Sequence, residues 1–128
     1  MGPNQDDHLI ALPDKNGLNF FEIRKIIRCQ SDNSYTEFFI LNESNHKLDV
    51  IKIVVSKGFD HFENFLLTKG FFYRVHNKHI VNIYHIDKYI KSDGGYLTMA
   101  DDTNVVVPVA RARKEGFMKH LKSMGILV

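Results

Sequence analysis

The densest chemistry in the chain lies at positions 71–86, FFYRVHNKHIVNIYHI, where Arg74, His76, Asn77, Lys78, His79 and His85 stand among aromatic and β-branched residues. Imidazole binds metals and moves protons near neutral pH. An amide can donate and accept at a base edge, while lysine neutralises phosphate. A second basic cluster, VARARK at 109–114, holds Arg111, Arg113 and Lys114. The enzyme reading would gather His76, His79 and His85 around a zinc ion with water in the fourth position, as in a small metal-dependent hydrolase or nuclease. Their spacing matches no zinc signature, no helical H-E-x-x-H repeat supports them, and no carboxylate pair nearby offers a general base. A histidine and a lysine can also cleave RNA by acid/base chemistry, but nothing fixes two histidines on opposite sides of a phosphate. The two glycines of DGGY fit a hairpin turn and lack a phosphate-loop pattern. No catalytic residue, metal or cofactor is therefore expected.

The nucleic-acid reading uses more of these residues. In FYRVH the strand period places Tyr73 and Val75 on one face and Arg74 and His76 on the other, and the chain leaves the sheet at Asn77 and Lys78. A turn that leaves a sheet is a suitable probe for a groove. Asn77 has the donor and acceptor pair for an adenine edge, whereas Lys78, His76 and His79 suit phosphate. Arg111 and Arg113 can fork onto guanine O6 and N7, and the free N–H groups opening the last helix can hold a phosphate. Either cluster alone would read as a solvated charged surface. Two such clusters at strand ends of one small domain favour DNA.

The elements that must position them are mostly strands. HLIAL and LNFFEI flank the turn PDKNG, and a strand from Ile26 through Cys29 runs into the polar cluster QSDNS before YTEFFIL. LNESNHK reads as another turn and LDVIKIVV as a strand whose imperfect alternation predicts burial on both faces in places. At Ser56 the period changes: Phe59, Phe62, Phe65 and Leu66 recur at helical spacing, with Ser56 as N-cap and Gly70 as stop. The aromatic stripe is expected to face the core. FFYRV is a strand, HNKH a turn or short helical connection, NIYHIDKYI a strand, and SDGG a hairpin turn leading to YLTMA. DDTN turns again before VVVPV, where Pro108 fits an edge or a strand end. A helix is expected from Arg111 to about Met124, with Phe117, Leu121 and Met124 on one side.

The 128 residues suit one domain with a core large enough to fold without metal or disulfide. A single cysteine, Cys29, excludes an internal disulfide and reads as a small apolar filler in a reducing compartment. No apolar run reaches the roughly 18 residues of a membrane span, and MGPNQDDH lacks the features of a secretory signal, so no membrane partner and a cytoplasmic location are expected. Residues 1–68 carry seven Lys/Arg against ten Asp/Glu, and residues 69–128 carry ten against five, an excess of 10 − 5 = 5 positive charges. That asymmetry favours a polyanion for the second half.

RVHNKHIVN at 74–82, an Ile-rich strand, the DGGY hairpin and VPVARARKEGFMKHL together resemble the LytTR DNA-binding domain found at the C-terminus of bacterial response regulators in two-component systems. The resemblance runs from about His8 to Leu121 and includes IIRCQSDNSYTEFFI and the short helix near Ser56. It implies a mainly β fold: elongated antiparallel β-sheets with one short inserted helix and a C-terminal helix, whose loops enter the major groove. It also implies a non-enzymatic, sequence-specific transcription regulator that binds promoter repeats in double-stranded DNA as a homodimer. By position, Asn77 falls in the base-reaching loop and Arg111 at the basic end of the second motif. Asn33, Ser34 and Tyr35 fall in a third contact region, and His76 and Asn82 orient the loop as much as they touch DNA. Asn77, Lys78, His79 and Ala110 stand where the family more often has Arg or Lys, Ser, Tyr and Ser. Asn77 thereby shifts the expected preference toward adenine. Residues 1–7 read as a linker or leader and 8–128 as the domain. A receiver domain in cis is expected if the chain is the output half of a longer regulator.

Overall fold

Runs of branched and aromatic residues interrupted by polar turns give strands for most of the chain in the computed structural model, which describes residues 8–44, 47–100 and 102–128. The expected leader, 1–7, lies outside them. β1 (Leu9–Asp14) and β2 (Gly17–Glu22) form a two-stranded hairpin. Its turn is held by Asp14, which accepts from the Asn16 N–H and the Asn19 amide, both at 2.7 Å. A single 3-10 turn at Ile23–Lys25 leads into β3 (Ile26–Asp32), followed by β4 (Tyr35–Ser44) and β5 (Lys47–Val55). Helix α1 (Phe59–Leu67) precedes β6 (Phe72–His76) and β7 (His79–Asn82). These strands form the central five-stranded antiparallel sheet in the order β5-β4-β3-β7-β6. A second 3-10 turn, Ile83–His85, starts a three-stranded sheet of β8 (Ile86–Ile90), β9 (Tyr96–Met99) and β10 (Asp102–Pro108). A 3-10 turn at Arg111–Arg113 continues into α2 (Lys114–Ser123).

The central sheet is covered on both faces. On one side Phe38, Ile40, Val55, Phe72 and Ile80 pack with Phe59, Phe62 and Leu66 of α1 and with Ile10 and Leu12 of β1. On the other, Ile27, Val75 and Val81 meet Leu97 and Met99 of β9, Val107 of β10 and Phe117 of α2. Each such fully buried side chain contributes about 1.5–3 kcal/mol. Partial burial on both faces accounts for the imperfect alternation at Val50, Ile51 and Ile53, whereas Leu48 and Val54 of β5 stay exposed. Ile51 and Ile53 turn to the first cluster, Val50 to the second.

Several boundaries differ from the sequence expectation. Gly58, not Ser56, is the N-cap of α1. Phe65 is 39% exposed beneath the Lys69 ammonium, because Phe59, Phe62 and Leu66 suffice to fill the seam. His76 pairs with His79 across the two-residue turn Asn77–Lys78, so HNKH forms no helical connection. NIYHIDKYI is split at Asn82, whose buried amide donates to the carbonyls of Arg24 (3.2 Å) and Ile26 (3.0 Å) and accepts from the Tyr84 N–H (3.0 Å). Those three bonds turn the chain from one sheet into the next. In the polar segment LNESNHK the strands extend to Ser44 and from Lys47, and β10 begins within DDTN at Asp102. Residues 45, 46 and 101 lie outside the described residues. Pro108 ends an edge strand, where its missing N–H costs no ladder bond.

Candidate nucleic-acid interface

Two hairpin turns and one 3-10 turn meet at one end of the central sheet. The antiparallel pairing of β3 with β7 brings the β3–β4 turn, Asn33–Ser34, beside the β6–β7 turn, and the Ser31 N–H donates to the Lys78 carbonyl at 2.9 Å. Asn33 adopts a left-handed conformation with φ 55°, which asparagine tolerates better than most residues. Asn33, Ser34 and Tyr35 are exposed, as are Asn77 and Lys78. The third segment follows β10. The Val109 N–H donates to the Gly95 carbonyl of the β8–β9 turn at 3.1 Å, and the Ala110 N–H to the Val75 carbonyl at 2.8 Å. β6 is the last strand of the central sheet, so its outer edge is open to receive this segment. Arg111 and Arg113 are thereby pinned by both sheets.

Within this end the charged groups divide into holders and free groups. By the strand period Arg74 shares a face with His76, a position suited to an outward-facing cation. Its guanidinium instead folds back, donating to Glu63 Oε2 of α1 at 2.9 Å and to the Asn77 carbonyl at 2.5 Å. It also lies near the Phe59 ring. Arg113 likewise turns inward, donating to the Arg74 carbonyl (3.3 Å) and to Asn77 Oδ1 (3.4 Å). Lys114 lies against Gly95, where an added Cβ would meet its Cε at 3.0 Å and Nζ at 3.2 Å. Arg111 remains exposed and is directed into none of these contacts.

The histidines do not gather. His76 Nδ1 accepts from the Lys78 N–H at 3.1 Å, so the neutral ring carries its proton on Nε2. His79 lies across the register with ring centroids 5.4 Å apart. Burial, with His76, Arg28 and Lys78 adding to it, lowers the His79 pKa from 6.5 to about 4, which leaves the ring uncharged at neutral pH. His85 is at the opposite end of β7, with Nε2 2.9 Å from the Arg24 carbonyl. Among the described residues no group of three His, Cys, Asp or Glu side chains could hold a metal ion, and the expected alternative of a metal-dependent hydrolase has no support. Cys29 is fully buried, and burial pushes its thiol pKa up, as suits a packing residue.

The sequence pattern missed two holders. Arg28 is only 3% exposed in β3, stacked over Phe39 at 3.7 Å and donating to Gln30 Oε1 at 3.0 Å. Its signal was a lone charge inside the apolar run IIRCQ. Glu63, which anchors Arg74, gave no local signal because the pair spans an α1-to-β6 contact.

A family model described as the LytTr DNA-binding domain matches residues 16–122. Among solved structures, the LytTr DNA-binding domain of a response regulator from Bacillus cereus superposes with a TM-score of 0.67 at 22% identity, covering 89% of this chain and 96% of that one. No curated protein matches. Among the described residues, no helix is long and apolar enough to cross a membrane.

Proposed function

The chain belongs to the LytTr DNA-binding domain family, and from that premise we propose that the three clustered turns are the surface by which it reads double-stranded DNA. The observation that carries the reading is their convergence. Ser31 to Lys78 and Ala110 to Val75 are backbone bonds, so the Asn33–Tyr35, His76–Lys78 and Arg111 segments are held rigidly at one end of the sheet. Such a surface suits a groove better than a single recognition helix, since α2 packs Phe117 into the core. In this reading Asn77 and Arg111 reach base edges, and Lys78, Asn33, Ser34 and Tyr35 meet sugar and phosphate. His76 donates through Nε2. His79, being neutral, supports the turn and carries no charge to phosphate. Arg113 and Lys114 act from behind. The domain is the DNA-binding output of a bacterial transcription regulator, with a receiver in cis where the chain is part of a longer one, acts in the cytoplasm, and binds promoter repeats as a homodimer. No step of this function requires chemistry on the DNA.

Binding measured across a salt series on a duplex selected from random sequence tests the proposal. Log K should fall linearly with log salt, by about 0.9 per phosphate neutralised. Asn77→Ala should weaken the selected site by roughly 1–3 kcal/mol and relax the base choice at one position. Affinity that ignores salt, or an unchanged motif in Asn77→Ala, would count against the assignment.

A further inference from the structure

The Asn77 side chain is held as well as presented. Arg74 fixes its backbone carbonyl, and Arg113 spans two acceptors with one planar fork, the Arg74 carbonyl at 3.3 Å and Asn77 Oδ1 at 3.4 Å. Glu63 holds Arg74 from α1, so the arrangement is braced from both sides. Arginine has only donors, so an amide beside it must present oxygen. A flipped amide would set N–H against N–H. The oxygen is therefore drawn toward the protein, and Nδ2 is the group left to face outward.

We propose that Arg113 is a specificity-determining residue acting through Asn77, so that the turn donates one N–H to a base acceptor and does not make the two-point contact that singles out adenine. This rests on the DNA-binding reading above. Adenine recognition needs the amide oxygen to accept from the N6 amino group while Nδ2 donates to N7. With the guanidinium at that oxygen, an amino group approaching it meets a cation. Guanine O6 and N7 and thymine O4 are acceptors and meet no such opposition. The chain thus carries an asparagine whose preference is redirected by an arginine 36 residues further on.

Arg113 is a positioning residue, so the test reads base preference and not affinity alone. Sites are selected from random duplex with the wild-type protein, Asn77→Ala, Arg113→Lys and Arg113→Leu. Asn77→Ala identifies the position that Asn77 reads. At that position the wild type should favour guanine or thymine over adenine, or fail to distinguish guanine from adenine. Replacement of the preferred purine by its 7-deaza analogue should weaken binding when N7 is the acceptor. Arg113→Leu should shift that position toward adenine, on the order of tenfold relative to wild type, and Arg113→Lys should shift it in the same direction but less, since its ammonium remains a cation near the Asn77 oxygen. Lysine keeps the charge but not the fork, so it separates orientation from general attraction. A wild type that already demands adenine, or variants that keep the wild-type preference, would overturn the inference while leaving DNA binding intact. If the wild type enriches no sequence, the DNA reading itself fails, and this inference with it.

Discussion

His79 shows how position within a sheet changes what a residue can do. Its ring is mostly buried and close to His76, Arg28 and Lys78, and its pKa falls from 6.5 to about 4. As the pH drops, the unfolded chain takes up this proton from about 6.5 downward, whereas the folded chain resists until about 4. The stability contributed by the neutral ring is therefore present above about pH 6.5 and lost progressively toward pH 4. His79→Phe should remove that component, so its Tm should fall less between pH 7 and pH 5 than the wild-type Tm does. An equal fall in both proteins would show that other groups carry the acid sensitivity. The residue types in RVHNKH disclosed a polar probe, but they did not disclose which cations face outward. Arg74 and Arg113 turn inward because Glu63, the Asn77 carbonyl and Asn77 Oδ1 lie within reach only after α1, β6 and the 111–113 turn have packed.

At the scale of elements, the placement of α2 against β6 decides where the Arg111 segment stands. Gly116 permits that placement, because a Cβ there would collide with the Tyr73 hydroxyl. Tyr73 has little room to yield, since its ring packs against Phe117 and His120 at 5.7 and 5.2 Å between centroids. Alanine is otherwise favoured over glycine in a helix by about 1 kcal/mol. Gly116→Ala should nevertheless destabilise the domain by roughly 1–3 kcal/mol through overpacking. Adding Tyr73→Phe should recover most of the loss, because the new Cβ would then meet only the ring carbon at 3.6 Å. Chemical denaturation of the two single variants and the double variant measures the coupling, and strict additivity would refute the steric account. The glycine was visible in KEGFMKH, but its reason was not, because Tyr73 lies 43 positions earlier and meets it only across the helix–sheet contact.

At the scale of the whole molecule, one sheet serves two cores. Phe38 lies in the cluster beneath α1 and the β1–β2 hairpin, and Phe117 in the cluster beneath the three-stranded sheet and α2. Because β3, β6 and β7 contribute to both, loss of either cluster should release the shared strands. Phe38→Ala and Phe117→Ala should each cost about 3–5 kcal/mol. Each should shift the circular dichroism and tyrosine fluorescence midpoints together, as expected of a two-state domain. A separation of the two midpoints in Phe38→Ala would instead indicate that the cores unfold independently. The excess positive charge of residues 69–128 also acts at this scale. It supplies attraction for a polyanion, while the backbone bonds at the sheet end select which cations can deliver it.

Periodicity, turn chemistry and two ordered motifs are local properties, so the mainly β class, the inserted and terminal helices, most strand positions and the identity of the polar turns were legible in the linear chain. Each follows from interactions among residues close in the chain. Tertiary structure decided what depends on distant partners. It placed Asn82 as the tie between sheets, buried Arg28, left His79 neutral and separated His85 from the other histidines. It also joined Asn77 to Arg113, because hydrogen bonds across 36 residues exist only once the β6 edge has received the segment that follows β10.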